Sequence, residues 1–422
     1  MRDYIQKIKK KDVVTLFWYI LGVGVPMFVG FIKNTIFTRV FTSAEYGQYA
    51  LVNLTFSFAT IVFISWTSSI LWRFYQRYRL KGDLTVFYSN LLMIYGASFV
   101  LLALFTLVYA SLQHDFYLVK LIIYTALFYM TKELTVFLGI LLRLKQKDRA
   151  YNLLRLAQSL FGFGVLLLLV FSFDFRIEAF LLSSFIIDLL IILYFLSQKH
   201  APFSWRYFSK DALKEFLSFG SRSIIISLLL LGIASIDRYI ISYYDTVDHV
   251  GIYNQLYNFS DISIVAVMTV LYGFINPILT LEFETNLENA HRVIKKYFLF
   301  ISAIVVPIVL ILSVFAKPIT ALIFHESFAQ AYGLVPYVLV SAYLYGLVNL
   351  VEFKLKFEDR LNLIIGYYII CLVFNVVLNL VFIPRYGYSF AAIATLLTYI
   401  LMFVLFYQSQ VWSRLKSIRL FL

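Results

Sequence analysis

The sequence is short of charge: 14% of its 422 residues are Asp, Glu, Lys or Arg, against 62% hydrophobic. Soluble domains run near a quarter charged and half apolar, so this chain could not cover the surfaces of the soluble domains its length would allow. It has one cysteine, Cys371, inside an apolar run, which excludes an intrachain disulfide and leaves the redox compartment unread. Its histidines, His114, His200, His249, His291 and His325, fall in loops or near the ends of apolar runs, none four residues from another, so no helical metal-ligand pair is present. Neither a G-x-x-x-x-G-K-[ST] loop nor a G-x-G-x-x-G turn occurs, and ATP-driven transport by this chain alone is not expected. The loops between apolar runs leave little room for an external catalytic segment, which counts against a membrane glycan polymerase or ligase.

Long apolar runs are what the sequence has in quantity. Mean hydropathy is +0.84, and the runs are about twenty residues long and apolar on all sides, as a spanning helix requires. A β-barrel would need short alternating segments instead. Twelve spans are expected, over residues 12–36, 46–71, 84–111, 116–142, 151–172, 177–196, 216–241, 251–279, 297–315, 332–353, 362–383 and 389–408. The 43 Phe and 32 Tyr suit a lipid-facing surface with aromatic belts. The basic N-terminus followed by an apolar run has the outline of a signal peptide, but the run is too long and has no small-residue cleavage site, so it reads as a retained first span.

The charges that are present sort by loop. Alternate loops hold Arg2, Lys7, Lys9, Lys10 and Lys11; Arg73, Arg77, Arg79 and Lys81; Arg143, Lys145, Lys147 and Arg149; Lys199, Arg206, Lys210 and Lys214; Arg292, Lys295 and Lys296; Lys354, Lys356 and Arg360; and Arg414, Lys416 and Arg419. These are 26 of the 36 basic residues, against seven on the other side. Basic loops stay cytoplasmic, so both termini are expected inside. The net charge of +13 is accounted for by topology, without nucleic acid.

The chain divides into a six-span N-terminal bundle (1–196), an inter-bundle loop (197–215) containing Pro202, a six-span C-terminal bundle (216–408) and a basic tail (409–422). With an even number of spans per half, any internal repeat is parallel rather than inverted. Tyr46-Gly47-Gln48-Tyr49 and Val250-Gly251-Ile252-Tyr253, with their glycines 204 residues apart, are the trace of such a repeat.

Ionisable residues inside the spans are the candidate functional groups, since each costs roughly 2.5–3.5 kcal/mol at mid-membrane on insertion scales unless it faces protein or water. Lys132 and Glu133, Asp188 and Asp261 lie near the midplane by residue count; Arg155 and Arg222 lie a turn or two from the cytoplasm; Lys33, Arg39, Asp237 and Arg238 lie toward the outer ends. Snorkelling to an interface would account for Lys33, Arg39, Arg155 and Arg238 equally well. Adjacent Lys132 and Glu133 diverge by about 100° on a helix and cannot share a partner; pairing of Lys132 with Asp188 is one option. Asn375 and Asn379, one turn apart, are expected to bond between helices. Basic groups in an enclosed cavity would suit a pyrophosphate, while the carboxylates would suit a coupling proton or sodium ion.

Three stretches carry a family resemblance. Thr38-Arg39-Val40-Phe41-Thr42-Ser43-Ala44-Glu45-Tyr46-Gly47, then Asp237-Arg238-Tyr239-Ile240-Ile241 with Val250-Gly251-Ile252-Tyr253, and Pro384-Arg385-Tyr386-Gly387-Tyr388-Ser389-Phe390-Ala391-Ala392 resemble segments at matching positions of the lipid-linked oligosaccharide flippases. That family lies in the MOP superfamily with the MATE drug exporters and the lipid II flippase. Ser389-Phe390 stands where the family usually has Gly, and Ser221 where its seventh span often has Pro. The resemblance implies an all-α membrane protein of two six-helix bundles forming a V around a central cavity. It implies export of an undecaprenyl-pyrophosphate-linked oligosaccharide by alternating access, without catalytic residues or cofactor apart from a coupling ion. Membrane lipids and polysaccharide assembly proteins are the partners it implies. It places Lys33, Arg39, Arg222, Asp237, Arg238 and Asp261 on the cavity or its mouth, and Lys132, Arg155 and Asp188 in the N-terminal bundle, with Glu133 beside Lys132. A cation-coupled drug exporter remains the alternative, with a glycan polymerase or ligase behind it.

Overall fold

A computed structural model describes residues 10–197, 205–285 and 290–419. Arg2, Lys7, Lys9, Lys199 and Pro202 lie outside the described residues, as do the side chains of Lys10, Lys11, Arg222, Arg414, Lys416 and Arg419. The described chain is a succession of α-helices: α1 (Lys10–Phe37), α2 (Ser43–Lys81), α3 (Leu84–Ser111), α4 (Phe116–Leu144), α5 (Asp148–Phe173), α6 (Ala179–Ser197), α7 (Lys210–Ser235), α8 (Asp237–Tyr244), α9 (Val247–Thr285), α10 (Ala290–Val314), α11 (Ala316–Ile323), α12 (Glu326–Ala329), α13 (Val335–Phe357), α14 (Leu361–Tyr386) and α15 (Phe390–Arg419). Among the described residues eleven helices are long and apolar enough to cross a membrane, and α1 adds the apolar stretch Leu21–Phe37. The protein is therefore a multi-pass membrane protein. In lipid every backbone polar group must bond within its own segment, which is why the apolar runs fold this way. Large apolar side chains such as Leu107, Val314 and Val373 stand more than half exposed, as lipid-facing residues do.

The chain forms two compact units that do not follow the loop at 197–215. Unit 1 holds residues Met1–Gly30 and Leu51–Leu228, and unit 2 holds Phe31–Ala50 and Leu229–Leu422. The end of α1 and the start of α2 thus belong with the C-terminal helices, and the first two-thirds of α7 with the N-terminal ones.

Unit 1 is packed around an aromatic core. Phe74 of α2 and Phe87 of α3 meet Phe216 of α7 at ring-centroid distances of 5.2 and 5.7 Å, with Ile70, Leu91 and Leu141 buried among them. Inside α2 the ladder widens to a π-turn over Ile61–Ser65, which loosens the regular carbonyl pairing. Side chains compensate: Ser98 donates to the Phe63 carbonyl (2.5 Å) and Thr67 to that of Ile64 (2.7 Å). Directly after the turn, Trp66 lies against Gly220 of α7, where an added Cβ would come within 2.1 Å of the indole.

Unit 2 is built on a reciprocal contact between the starts of α2 and α9. A Cβ on Gly47 would lie 1.9 Å from the Val247 carbonyl oxygen, and one on Gly251 would lie 2.0 Å from that of Ser43. Both pairs of equivalent positions are 204 residues apart, so each helix presents the same two positions, a glycine and the carbonyl four residues before it, to the other, as a two-fold-related contact does. The faint repeat in the sequence is thus a physical contact between its two copies. A capping box starts α2: Thr42 N–H and Oγ1 donate to Glu45 Oε2 at 2.9 and 3.0 Å, and Glu45 N–H returns to Thr42 Oγ1 at 3.3 Å. Asn375 of α14 donates to Thr398 Oγ1 of α15 at 3.1 Å, the interhelical bond expected there, whereas Asn379 bonds within α14, to Asn375 Oδ1 at 2.9 Å.

Candidate functional site

In unit 1 a cavity of about 380 Å³ opens between α4, α5 and α6. Lys132, Arg143, Arg155, Gln158 and Asp188 all line it. Lys132 and Glu133 part as their adjacency requires. The Lys132 ammonium faces the cavity and sits over the Tyr129 and Phe128 rings, 4.6 and 5.4 Å from their centroids, while Glu133 is buried and accepts from Ser65 of the π-turn at 2.8 Å. The Asp188 carboxylate is taken by the Gln158 amide at 2.7 Å, and among the described residues no salt bridge joins it to Lys132. The two charges read as a pair from sequence still act on each other across the cavity, without direct contact. Arg143 is held between Trp72 and Tyr151, with centroids 5.2 and 5.3 Å away. The cavity combines three cations with one carboxylate.

In unit 2 the helix breaks at Ile236, between α7 and α8, where two charges are buried. Arg238 reaches back to the Ala234 carbonyl and binds Asp237 Oδ1 at 2.8 Å and Asn254 Oδ1 at 3.3 Å. Tyr253 donates to Asp237 Oδ2 at 2.5 Å. The guanidinium lies 4.3 Å from the Tyr257 centroid and 5.2 Å from that of Tyr253. Asp237 and Arg238 are 0% and 3% exposed, so this pair is sealed and its donors are engaged. Arg39 is exposed and donates to the carbonyls of Leu322 and Ile323 at 3.3 Å each, at the C-terminal end of α11 where a cation is favoured. Arg238 is held by a neighbouring aspartate and a backbone carbonyl, while among the described residues Arg39 meets only neutral carbonyls.

Lys33 and Asp261 differ: among the described residues neither makes a hydrogen bond or salt bridge. Both lie two residues beyond the Phe31–Phe259 contact of α1 with α9, whose ring centroids are 5.6 Å apart. Arg222 sits on α7 two residues past Gly220, in a helix long and apolar enough to cross a membrane. The structure thus gathers Lys132, Arg155 and Asp188 in one cavity of unit 1, with Glu133 behind it, and Asp237, Arg238, Lys33, Arg39 and Asp261 in unit 2. Arg143, counted from sequence only among the loop charges, was missed, as were Gln158, Ser65, Tyr253 and Tyr257. The last two were open to discovery, since Tyr253, Tyr257 and Asp261 follow at intervals of four and share a face of α9.

The three motif stretches come together in unit 2. Ser43 donates to Asp248 Oδ1 at 2.6 Å, Thr38 Oγ1 accepts from His325 N–H at 3.2 Å, Tyr388 N–H donates to Asp245 Oδ2 at 3.2 Å, and the Tyr388 ring stacks on His249 at 4.3 Å.

Comparison with known proteins follows the same lines. The family described as "Polysaccharide biosynthesis protein" matches residues 14–280. No curated protein matches the chain in sequence. Among solved structures, the lipid II flippase MurJ in an inward closed conformation is 12% identical with a TM-score of 0.65, covering 94% of this chain and 87% of that one. A mutant of the Vibrio cholerae MATE transporter VcmN is 15% identical at 0.61, covering 94% and 97%. A MOP superfamily transporter from Pyrococcus furiosus, described as having a binding pocket of reverse polarity, is 16% identical at 0.59, covering 94% and 94%. The fold is that of the MATE-like MOP transporters.

Proposed function

We propose, for a chain that belongs to the polysaccharide biosynthesis protein family, that it is a flippase carrying an undecaprenyl-pyrophosphate-linked oligosaccharide from the inner to the outer leaflet of a bacterial cytoplasmic membrane. The observation that carries the reading is the family match over residues 14–280 on a fold similar to that of a lipid II flippase. The absence of a nucleotide loop or a recognisable catalytic constellation in the sequence agrees with a transporter rather than an enzyme. Alternating access is the mechanism the resemblance implies, and the basic loops favour both termini in the cytoplasm.

Within that reading, Arg222 is the proposed anchor for the pyrophosphate, with Lys33 as a second cation. A guanidinium in an apolar helix is costly without an anion, and it binds phosphate oxygens through two parallel bonds. A coupling proton or sodium ion is proposed for the carboxylates. Asp261 is the candidate in unit 2, since among the described residues it makes no hydrogen bond or salt bridge, and Asp188 and Glu133 are those in unit 1; Asp237 is already neutralised by Arg238. Assembly proteins of surface polysaccharide are the proposed partners.

Deleting the gene should abolish surface glycan and leave lipid-linked oligosaccharide in the inner leaflet. Arg222→Ala should reproduce that defect with the protein still folded in the membrane. Full export by Arg222→Ala would remove the residue from the mechanism, and unchanged surface glycan in the deletion strain, with altered efflux of lipophilic cations, would replace the flippase by a drug exporter.

A further inference from the structure

The cationic cavity of unit 1 contains more positive charge than its neighbours neutralise. Among the described residues Lys132, Arg143 and Arg155 form no salt bridge; the one carboxylate on the cavity wall, Asp188, is bonded to Gln158 and acts together with Glu133 on Lys132, which leaves Arg143 and Arg155 outside any ion pair. Arg143 is nonetheless fixed in place by Trp72 and Tyr151, so its charge is oriented without an anion to meet it. By the loop charges this level of the chain is the cytoplasmic leaflet, next to the Lys145, Lys147 and Arg149 turn.

The cavity does not end at its charges. An apolar groove of about 800 Å³ runs along α5 between Ala150 and Leu168 and along the second half of α6 between Ile187 and Phe195, and Leu154 and Ile187 line both spaces. Its floor is stepped down by Ala157 and Gly164 and walled by Phe161, Leu168, Leu190 and Tyr194. Two arginines toward the cytoplasmic end, Arg143 and Arg155, continuous with a groove of small and apolar residues, match a ligand with a phosphate at one end and long chains at the other.

We propose that this is a binding site for an anionic diacyl phospholipid of the cytoplasmic leaflet. Its phosphodiester would meet Arg143 and Arg155, and its acyl chain would fill the α5–α6 groove. The site lies wholly within unit 1 and does not depend on the nature of the transported substrate. Removal of one basic residue near an anionic headgroup weakens binding by roughly 1 kcal/mol, which is about five-fold; two removals give about 25-fold.

The test uses the full chain, stripped of lipid in detergent and titrated with dioleoyl phosphatidylglycerol or dioleoyl phosphatidylcholine, with bound lipid read by native mass spectrometry. Phosphatidylglycerol should bind in preference to phosphatidylcholine. Arg143→Gln/Arg155→Gln should lose that preference by about 25-fold, whereas Arg77→Gln, at an exposed pair with Glu215, should keep it. Ala157→Phe, which fills the groove and leaves every cation in place, should also weaken binding, so the result stands if the double variant folds poorly. Dihexanoyl phosphatidylglycerol and inorganic phosphate should compete poorly. Equal binding of the two dioleoyl lipids, or full retention by both variants, overturns the proposal. Competition by inorganic phosphate at the same concentrations, or a preference for a polyprenyl phosphate over phosphatidylglycerol, overturns the choice of a phospholipid.

Discussion

The reciprocal glycine contact in unit 2 allows a calculation with a definite sign. A Cβ on Gly47 would lie 1.9 Å from the Val247 carbonyl oxygen, and one on Gly251 would lie 2.0 Å from the Ser43 carbonyl oxygen and 2.8 Å from Gly47 N. Ordinary contact begins near 3.4 Å, so Gly47→Ala must move one helix start by about 1.5 Å against backbone that cannot rotate aside. Overpacking of this kind costs typically 1–3 kcal/mol and occasionally more, and the absence of a flexible neighbour puts it at about 3. Alanine recovers up to about 1 kcal/mol of helix propensity, leaving a net loss of about 2 kcal/mol for each single variant. In a unit of this size that lowers the midpoint by roughly 4–8 °C. Cys371, the single cysteine and fully buried in the same unit, is a built-in probe: a thiol-reactive fluorogenic dye reports its exposure on heating. Because the same separation relieves both clashes, Gly47→Ala/Gly251→Ala should cost less than the sum of the singles. Gly366→Ala, where an added Cβ meets nothing within 4 Å, should leave the midpoint unchanged or raise it slightly. Strict additivity, or singles that melt like the parent, would refute the contact and with it the physical reality of the repeat.

Two other perturbations test the buried polar groups. Asp237→Ala leaves the Arg238 guanidinium without its carboxylate and Tyr253 without its acceptor, so a loss of about 3–5 kcal/mol is expected; Asp237→Ala/Arg238→Met should recover much of it, and a double-mutant cycle with no coupling would show that the pair does not act as one. Ser98→Ala removes the donor to the Phe63 carbonyl in the π-turn of α2 and should cost about 1–3 kcal/mol. Ser111→Ala, which loses only a bond to the Val108 carbonyl at an exposed helix end, should melt like the parent protein.

How much of this was legible depended on whether the signal is local. The spans were, because a run of about twenty apolar residues needs no partner to be recognised; the run at 84–111 became α3 at Leu84–Ser111. Divergence of Lys132 and Glu133 followed from helix geometry alone. The break at Ile236 inside the run 216–241 was not legible, because it arises where the Arg238 side chain competes for the Ala234 carbonyl. The π-turn at Ile61–Ser65 was also hidden, since its residues are ordinary apolar ones and the donors that support it, Ser98 and Thr67, differ in no visible way from other hydroxyls of the chain. The unit boundaries fell within helices rather than at the 197–215 loop because glycine-mediated backbone contacts hold residues 31–50 to the start of α9.

Charge inside a span marks a residue as costly, and the cost can be met in two ways: by structure or by a ligand. The motif residues Arg39, Glu45, Asp237 and Arg238 are of the first kind, with every charge matched by a carbonyl, a capping box or each other. They are the joints of unit 2, along with Gly47, Gly251, Asp245 and Tyr388. Arg143 and Arg155 are of the second kind, and neither belongs to the motif stretches. Residues that identify the family thus secure the geometry of the fold, and a motif match alone therefore says little about cargo. The unmet charges are where this chain's own ligands should be sought, and substituting them should alter binding or transport before it alters stability, the reverse of the order expected for the joints.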